Sequence, residues 1–148
     1  MGMLDFVVDA SVFVAGIRPS EPSYKEARTA LETLSRRRAN LYVPAIVLAE
    51  VAAAIGRGSG SAEQAAKDVD LIGRLTGLQL VSVDHALANL AAVIAAHQRI
   101  RGCDAVYVAL AQDRNGVLIT LDNEQRQRSP SSVLVWTPEE LLKNWYSN

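Results

Sequence analysis

The chain has 148 residues and a mass of 16.0 kDa, with 49% hydrophobic and 21% charged residues and a formal net charge of −1. That is the length of one domain able to bury a substantial core, so residues 1–148 are read as a single domain. The balance excludes long-range disorder and a histone-like electrostatic binder, while a local basic patch or a metal site would still suit nucleic acid.

Residues 4–8 form a short apolar run rich in β-branched side chains, read as a buried strand. Residues 11–17 make a brief helix or turn closed by Pro19. Residues 21–38 carry helical periodicity through Tyr24, Ala27, Leu31 and Leu34, with charges on the opposite face. Residues 41–43 are a second strand. Pro44 then suits the first turn of a helix that runs to about residue 55 and stops in GRGSG. On this reading Glu50 lies about two turns into its helix.

Ser61 opens the next helix, with Glu63 and Gln64 near its start, and that helix ends near Gly77. Residues 78–83 are a third strand, and Asp84 caps a long alanine-rich helix reaching about residue 98. Gly102 separates this helix from one over residues 103–114. Asn115-Gly116 is a turn, residues 117–120 a fourth strand and residues 133–135 a fifth. Thr137-Pro138-Glu139-Glu140 is a helix start, with Thr137 as cap and Pro138 in the first helical position. Short apolar strands alternating with helices predict a parallel sheet of about five strands covered on both faces, with right-handed connections. No repeat or low-complexity segment stands out.

The single cysteine, Cys103, cannot form an internal disulfide and is expected as a buried, reduced thiol, which fits a cytoplasmic protein. No zinc-type Cys/His spacing is present. MGMLDFVVD has no basic region ahead of its apolar residues and does not read as a signal peptide. The longest apolar run, residues 86–96 broken by Asn89, is too short to span a bilayer.

Four carboxylates each stand alone in a stretch otherwise free of charge. Asp9 is the only charged residue between Asp5 and Arg18, and Glu50 the only one between Arg38 and Arg57. Asp104 stands alone between Arg101 and Asp113, and Asp122 between Arg114 and Glu124. Taking a carboxylate out of water costs several kcal/mol, on the order of what only a compensating partner offsets. No matching set of buried cations is visible, so one shared divalent ion is the economical compensator, and Mg²⁺ or Mn²⁺ prefers such oxygen ligands. Asp9 and Asp122 follow the first and fourth strands, where the ligand crevice of an open α/β sheet is expected. Asp104 opens its helix, a place where an acidic residue is also favourable for stability alone.

Asp9-Ala10-Ser11 after the first strand, VPAIVLAE in the second unit, GCDAVYVALA and then LITLD together resemble the PIN-domain nucleases, and among them the small VapC-like toxins. The likeness covers essentially the whole chain, in order. It implies a three-layer α/β sandwich around a five-stranded parallel sheet and an acidic site of Asp9, Glu50, Asp104 and Asp122. It further implies Mg²⁺ or Mn²⁺ in that site, cleavage of single-stranded RNA, homodimerisation and inhibition by an antitoxin protein. Ser11 and Thr120 match the family's small hydroxyl positions and would orient a carboxylate or a bound water. The stretch after Asp122, NEQRQRSP, lacks the aromatic often found there. Arg126 and Arg128 share this loop with the site and are the candidate phosphate contacts. Trp136, Trp145 and Tyr146 could stack bases, but packing is their favoured role.

Two other readings compete: a PIN-like nuclease acting in RNA processing or on DNA, and a catalytically silent nucleic-acid or protein-binding module. All four acidic positions are filled, which argues against silence.

Overall fold

The computed structural model describes residues 3–147. Met1 and Gly2, which open the stretch read above for a leader, and Asn148 lie outside the described residues. The five strands are β1 (Asp5–Val8), β2 (Asn40–Pro44), β3 (Leu78–Val81), β4 (Val117–Ile119) and β5 (Leu134–Trp136). The helices are α1 (Ala10–Ile17), α2 (Tyr24–Arg36), α3 (Val47–Ser59), α4 (Ala62–Gly73), α5 (His85–Gln98), α6 (Gly102–Arg114), α7 (Asn123–Arg128) and α8 (Pro138–Tyr146).

All strand pairs are parallel, in the order β3-β2-β1-β4-β5. Consecutive strand residues face opposite sides of a sheet. Phe6, Val7 and Val8 of β1 and Val117, Leu118 and Ile119 of β4 are all buried, so helices cover both faces of the central strands. α6 packs on β1, β2 and β4 through a buried run from Tyr107 to Ala111, and α5 packs on α6. Phe6 meets Trp145 of α8 with ring centroids 5.6 Å apart, and the Arg37 guanidinium lies over the same indole. Trp145 is thus a packing residue, whereas Tyr146 is exposed.

From β1 the chain builds outward to β2 and β3, then crosses back to add β4 and β5 on the other side. The order therefore reverses between β1 and β4, and a crevice opens at their carboxyl ends.

Several boundaries differ from the sequence reading. Pro44 ends β2 instead of starting a helix. β1 pairs with β2 only as far as Val7 opposite Tyr42, so the N–H that proline lacks has no partner to lose. α3 begins at Val47, which puts Glu50 in its first turn and not two turns in. α3 also runs through GRGS to Gly60, whose left-handed φ of 67° closes it. Gly77 takes a φ of 85° and lies against the Ala39 carbonyl, so a Cβ there would meet backbone. Cys103 is exposed: it sits in the first turn of α6, where Gly102 and the preceding Arg101 are exposed as well. Among the described residues no helix is long and apolar enough to cross a membrane.

Candidate functional site

A cleft of about 460 Å³ opens at the β1/β4 reversal, and Asp9, Glu50, Asp104 and Asp122 all line it. Ser11, Glu21, Ser23 and Arg57 contribute to the same walls. Residues spread over more than a hundred positions of sequence meet here because β1 and β4 are neighbours while α3 and α6 begin at the same end of the sheet.

Asp9 follows β1 and caps α1, accepting the Ser11 N–H at 3.1 Å. It is only 4% exposed. Asp122 caps α7 by accepting the Gln125 N–H at 3.0 Å. Glu50 accepts the Tyr107 hydroxyl at 2.7 Å. Among the described residues the Asp104 carboxylate accepts only from Arg101, at 3.0 Å, and the same guanidinium reaches Asp122 at 3.3 Å. Arg101 is 72% exposed, so screened attraction to it offsets little of the local repulsion.

Ser11 and Thr120 stand between the two aspartates that follow strands. Ser11 Oγ accepts the Leu121 N–H at 3.1 Å, and Thr120 Oγ1 accepts the Asp122 N–H at 3.0 Å. Their hydroxyl oxygens are 3.5 Å apart. Both fix the backbone that carries Asp122.

Electrostatics follow from this crowding. Burial pushes the Asp9 carboxyl above its ordinary range; bonds from Ser11 and Gln125 pull it back and the charge of Asp122 pushes further. Asp104 is raised by burial and then by the charges of Asp9 and Asp122, against the pull of Arg101. Glu50 is raised by burial, partly countered by the Tyr107 hydroxyl, with Asp9 and Asp104 adding to the rise. Burial and the adjacent Glu50 push the Tyr107 phenol far up, so it stays a donor.

Among the described residues no three acidic, imidazole or thiol groups already converge on a ready-made metal position. Asp104 and Asp122 are turned to Arg101, and Glu50 to Tyr107. The chemistry of the donor set nonetheless fits a hard divalent cation, since it offers carboxylate oxygens alone and three of the four are raised by burial and mutual charge. Moving Arg101 aside would free two of them.

Arg126 and Arg128 are placed differently from the sequence expectation. NEQRQR is not a loop but α7, and neither arginine lines the cleft. Arg126 pairs with Glu140 at 3.3 Å, while Arg128 pairs with Glu124 at 2.9 Å and donates to the Arg99 carbonyl. Arg57, in the last turn of α3, lines the cleft instead.

The sequence reading missed two buried members of the site. Tyr107 lies one turn after Asp104 on α6, a spacing that puts it on the same face. Gln125, fully buried, sits three residues after the capping Asp122, the position a capping arrangement favours for Gln or Glu.

Comparison with known proteins agrees with this architecture. The chain is similar to PAE2754 from Pyrobaculum aerophilum, with a TM-score of 0.71 and 18% identity over 98% of this chain and 91% of that one. It is similar to VapBC2 from Rickettsia felis bound to a promoter DNA fragment, with a TM-score of 0.69 and 16% identity over 90% and 98% of the two chains. Mycobacterium tuberculosis VapC20, a Sarcin-Ricin loop cleaving toxin, gives 0.69 and 18% over 88% and 99%. No curated protein matches the chain. The family model of the PIN domain matches residues 6–129, a span that holds all four carboxylates, both hydroxyl residues and every strand but the last; the chain belongs to the PIN domain family.

Proposed function

We propose that this chain is a divalent-metal-dependent endoribonuclease that cuts single-stranded RNA, and the toxin half of a toxin–antitoxin pair. The observation that carries the reading is the convergence of Asp9, Glu50, Asp104 and Asp122, from four elements, on one open cleft at the sheet's reversal point. Membership of the PIN family supports the nuclease assignment. Solved relatives that are toxin–antitoxin complexes, including VapBC from Salmonella typhimurium and FitAB, support an antitoxin partner. On the same reading residues 1–148 act as one domain, in the cytoplasm, as a homodimer.

Asp9 and Asp104 would hold Mg²⁺ or Mn²⁺ directly, with Glu50 and Asp122 binding directly or through water. When bound, such an ion supplies an activated water and offsets charge on the phosphate undergoing hydrolysis. The protein's own part is to place the ligands. Ser11 fixes Asp9 through its N–H and the chain before Asp122 through its hydroxyl. Thr120 fixes the Asp122 backbone. Tyr107 holds Glu50 in one orientation. Arg57 on the cleft wall is the cation best placed for the RNA backbone, with Arg126 and Arg128 available only after leaving their glutamates.

The test is cleavage of a labelled pool of single-stranded RNA with Mn²⁺ or Mg²⁺, beside a chelator control. Cutting that depends on metal supports the reading; metal-independent cutting, or no metal uptake by calorimetry, overturns it. A duplex DNA substrate in parallel separates the alternative of a DNA-directed nuclease.

Metal uptake is expected to release protons. Asp9, Glu50 and Asp104 are all raised above their usual values, so they hold their protons to higher pH than free carboxylates do, and the ion must displace whatever protons remain. Affinity therefore rises with pH through that range and levels off once the three are ionised. Calorimetry in two buffers of different ionisation enthalpy, at mildly acidic pH, reads the released protons directly. Equal heats in the two buffers would contradict the assignment.

A further inference from the structure

We propose that Gln125 is a positioning residue that sets the spacing of the acidic cleft, tying together three of the four residues that supply its carboxylates. This role rests on the metal reading of the cleft given above. Gln125 lies in the first turn of α7 and is fully buried. Its backbone N–H donates to Asp122 Oδ1 at 3.0 Å. Its side-chain Nε2 donates to Asp9 Oδ1 at 3.3 Å and to the Asp104 carbonyl oxygen at 3.2 Å. Its Oε1 accepts the Thr120 hydroxyl at 2.6 Å.

The amide can stand only one way round. An ionised Asp9 and the Asp104 carbonyl offer acceptors alone, so the NH₂ must face them, and the oxygen must face the one neighbouring hydroxyl. Thr120 in turn has a single proton to give. Gln125 Oε1 at 2.6 Å competes for it with Asp9 Oδ2 at 3.3 Å, and the shorter contact takes it. Thr120 thus reaches Asp9 through Gln125 and not directly. The carboxylate of Asp9 is held at one oxygen by the Ser11 N–H and at the other by Gln125.

The sheet registers the end of β1 beside β4, with the Asp9 N–H on the Ile119 carbonyl at 3.0 Å, and these bonds add to it the first turn of α6 and the start of α7, which the ladder does not reach. A buried amide of fixed orientation sets how far Asp9, Asp104 and Asp122 stand apart, which is what a small cation with strict oxygen geometry senses.

The experiment is calorimetric titration of Mn²⁺ into the full chain, the Gln125→Met variant and an Ile72→Ala control, all well below their unfolding temperatures. Methionine keeps the length and loses every side-chain hydrogen bond. Ile72, buried in α4, lines no part of the cleft. Gln125→Met is expected to raise the Mn²⁺ Kd by about 10–100-fold, the range for loss of a partner that orients a ligand. Ile72→Ala lowers the unfolding temperature and leaves the Kd of the folded protein unchanged. Should Gln125→Met fail to fold, Gln125→Asn carries the test: it keeps a buried amide but is too short to reach Asp9, the Asp104 carbonyl and Thr120 together, and a smaller rise in Kd is expected. A folded variant with the wild-type Kd overturns the role of Gln125 while leaving the metal site intact. Wild-type protein that takes up no Mn²⁺ overturns the metal reading itself, and this role with it.

Discussion

Asp104→Asn is expected to cut RNA cleavage by more than about a hundredfold, beyond what loss of an outer partner does, while leaving the fold intact. Asparagine preserves the shape of the side chain and removes its charge. Asp104 caps no helix, and asparagine leaves its backbone bond from Gln125 in place; among the described residues its carboxylate has one hydrogen-bond partner, Arg101, which is largely exposed and keeps Asp122 as a second acceptor. Metal-free stability should therefore rise. The sign follows from the raised carboxyl of Asp104. An acid whose folded pKa lies above its unfolded value contributes stability at low pH and loses it as pH climbs through that interval. At neutral pH the ionised group is a net cost, which asparagine removes. Thermal melts without metal should show the variant ahead of wild type near neutrality. The two should draw level at acidic pH, where the wild-type carboxyl is protonated. A variant that melts several degrees lower at neutral pH would make Asp104 a structural residue.

Leu110→Ala is the opposite case, with a large effect on stability and little on chemistry. Leu110 is 1% exposed, two turns along α6 from Asp104, on the helix that packs over β1, β2 and β4. Truncating a buried leucine costs about 2–5 kcal/mol, the spread depending on how far the site collapses around the void. Set against a typical total of about 5–15 kcal/mol, this loss moves the urea midpoint far without changing the slope. Val106, only partly buried on the same helix, should lose less. Cleavage per folded molecule should match wild type at low temperature. A fall in activity without a fall in the midpoint would mean that α6 transmits strain to the cleft.

Much of the architecture is written in local signals. Thr137-Pro138-Glu140 predicted a helix start and forms a reciprocal cap, with Thr137 and Glu140 each bonding the other's backbone. Ser61 and Asp84 cap their helices as read. Asn115, with a φ of 49°, takes the left-handed conformation that the Asn-Gly turn suggested. The four solitary carboxylates led to the cleft because isolated charge in apolar sequence is costly wherever it lands.

What was not legible depends on long-range contact. α7 has no apolar residue, so hydrophobic periodicity is blind to it; it exists because Asp122 caps it, and its buried member is a glutamine. The bond from Tyr107 to Glu50 joins residues 57 positions apart. Pro44 carried the right preference for a fixed φ, but the ladder to β1 had already ended, so a strand could accept it. Cys103 has the composition of a core residue and the address of a helix tip, and the address prevails.

The dual use of two carboxylates bears on how loss of activity would be recognised. Asp9 and Asp122 cap α1 and α7, and an aspartate cap replaced by alanine costs about 0.5–2 kcal/mol whether or not any RNA is cut. Glu50 answers the buried hydroxyl of Tyr107, so its removal leaves an orphaned donor. A descendant that abandoned the chemistry would still be pressed by folding to keep an acceptor oxygen at these three places. The Asp104 side chain caps nothing and answers no buried donor; its place in the first turn of α6 and its exposed pairing with Arg101 are weaker holds, so it would be freer to drift. In judging whether a similar chain is still an enzyme, an intact aspartate at that position is the more telling one, because the other three answer to folding as well.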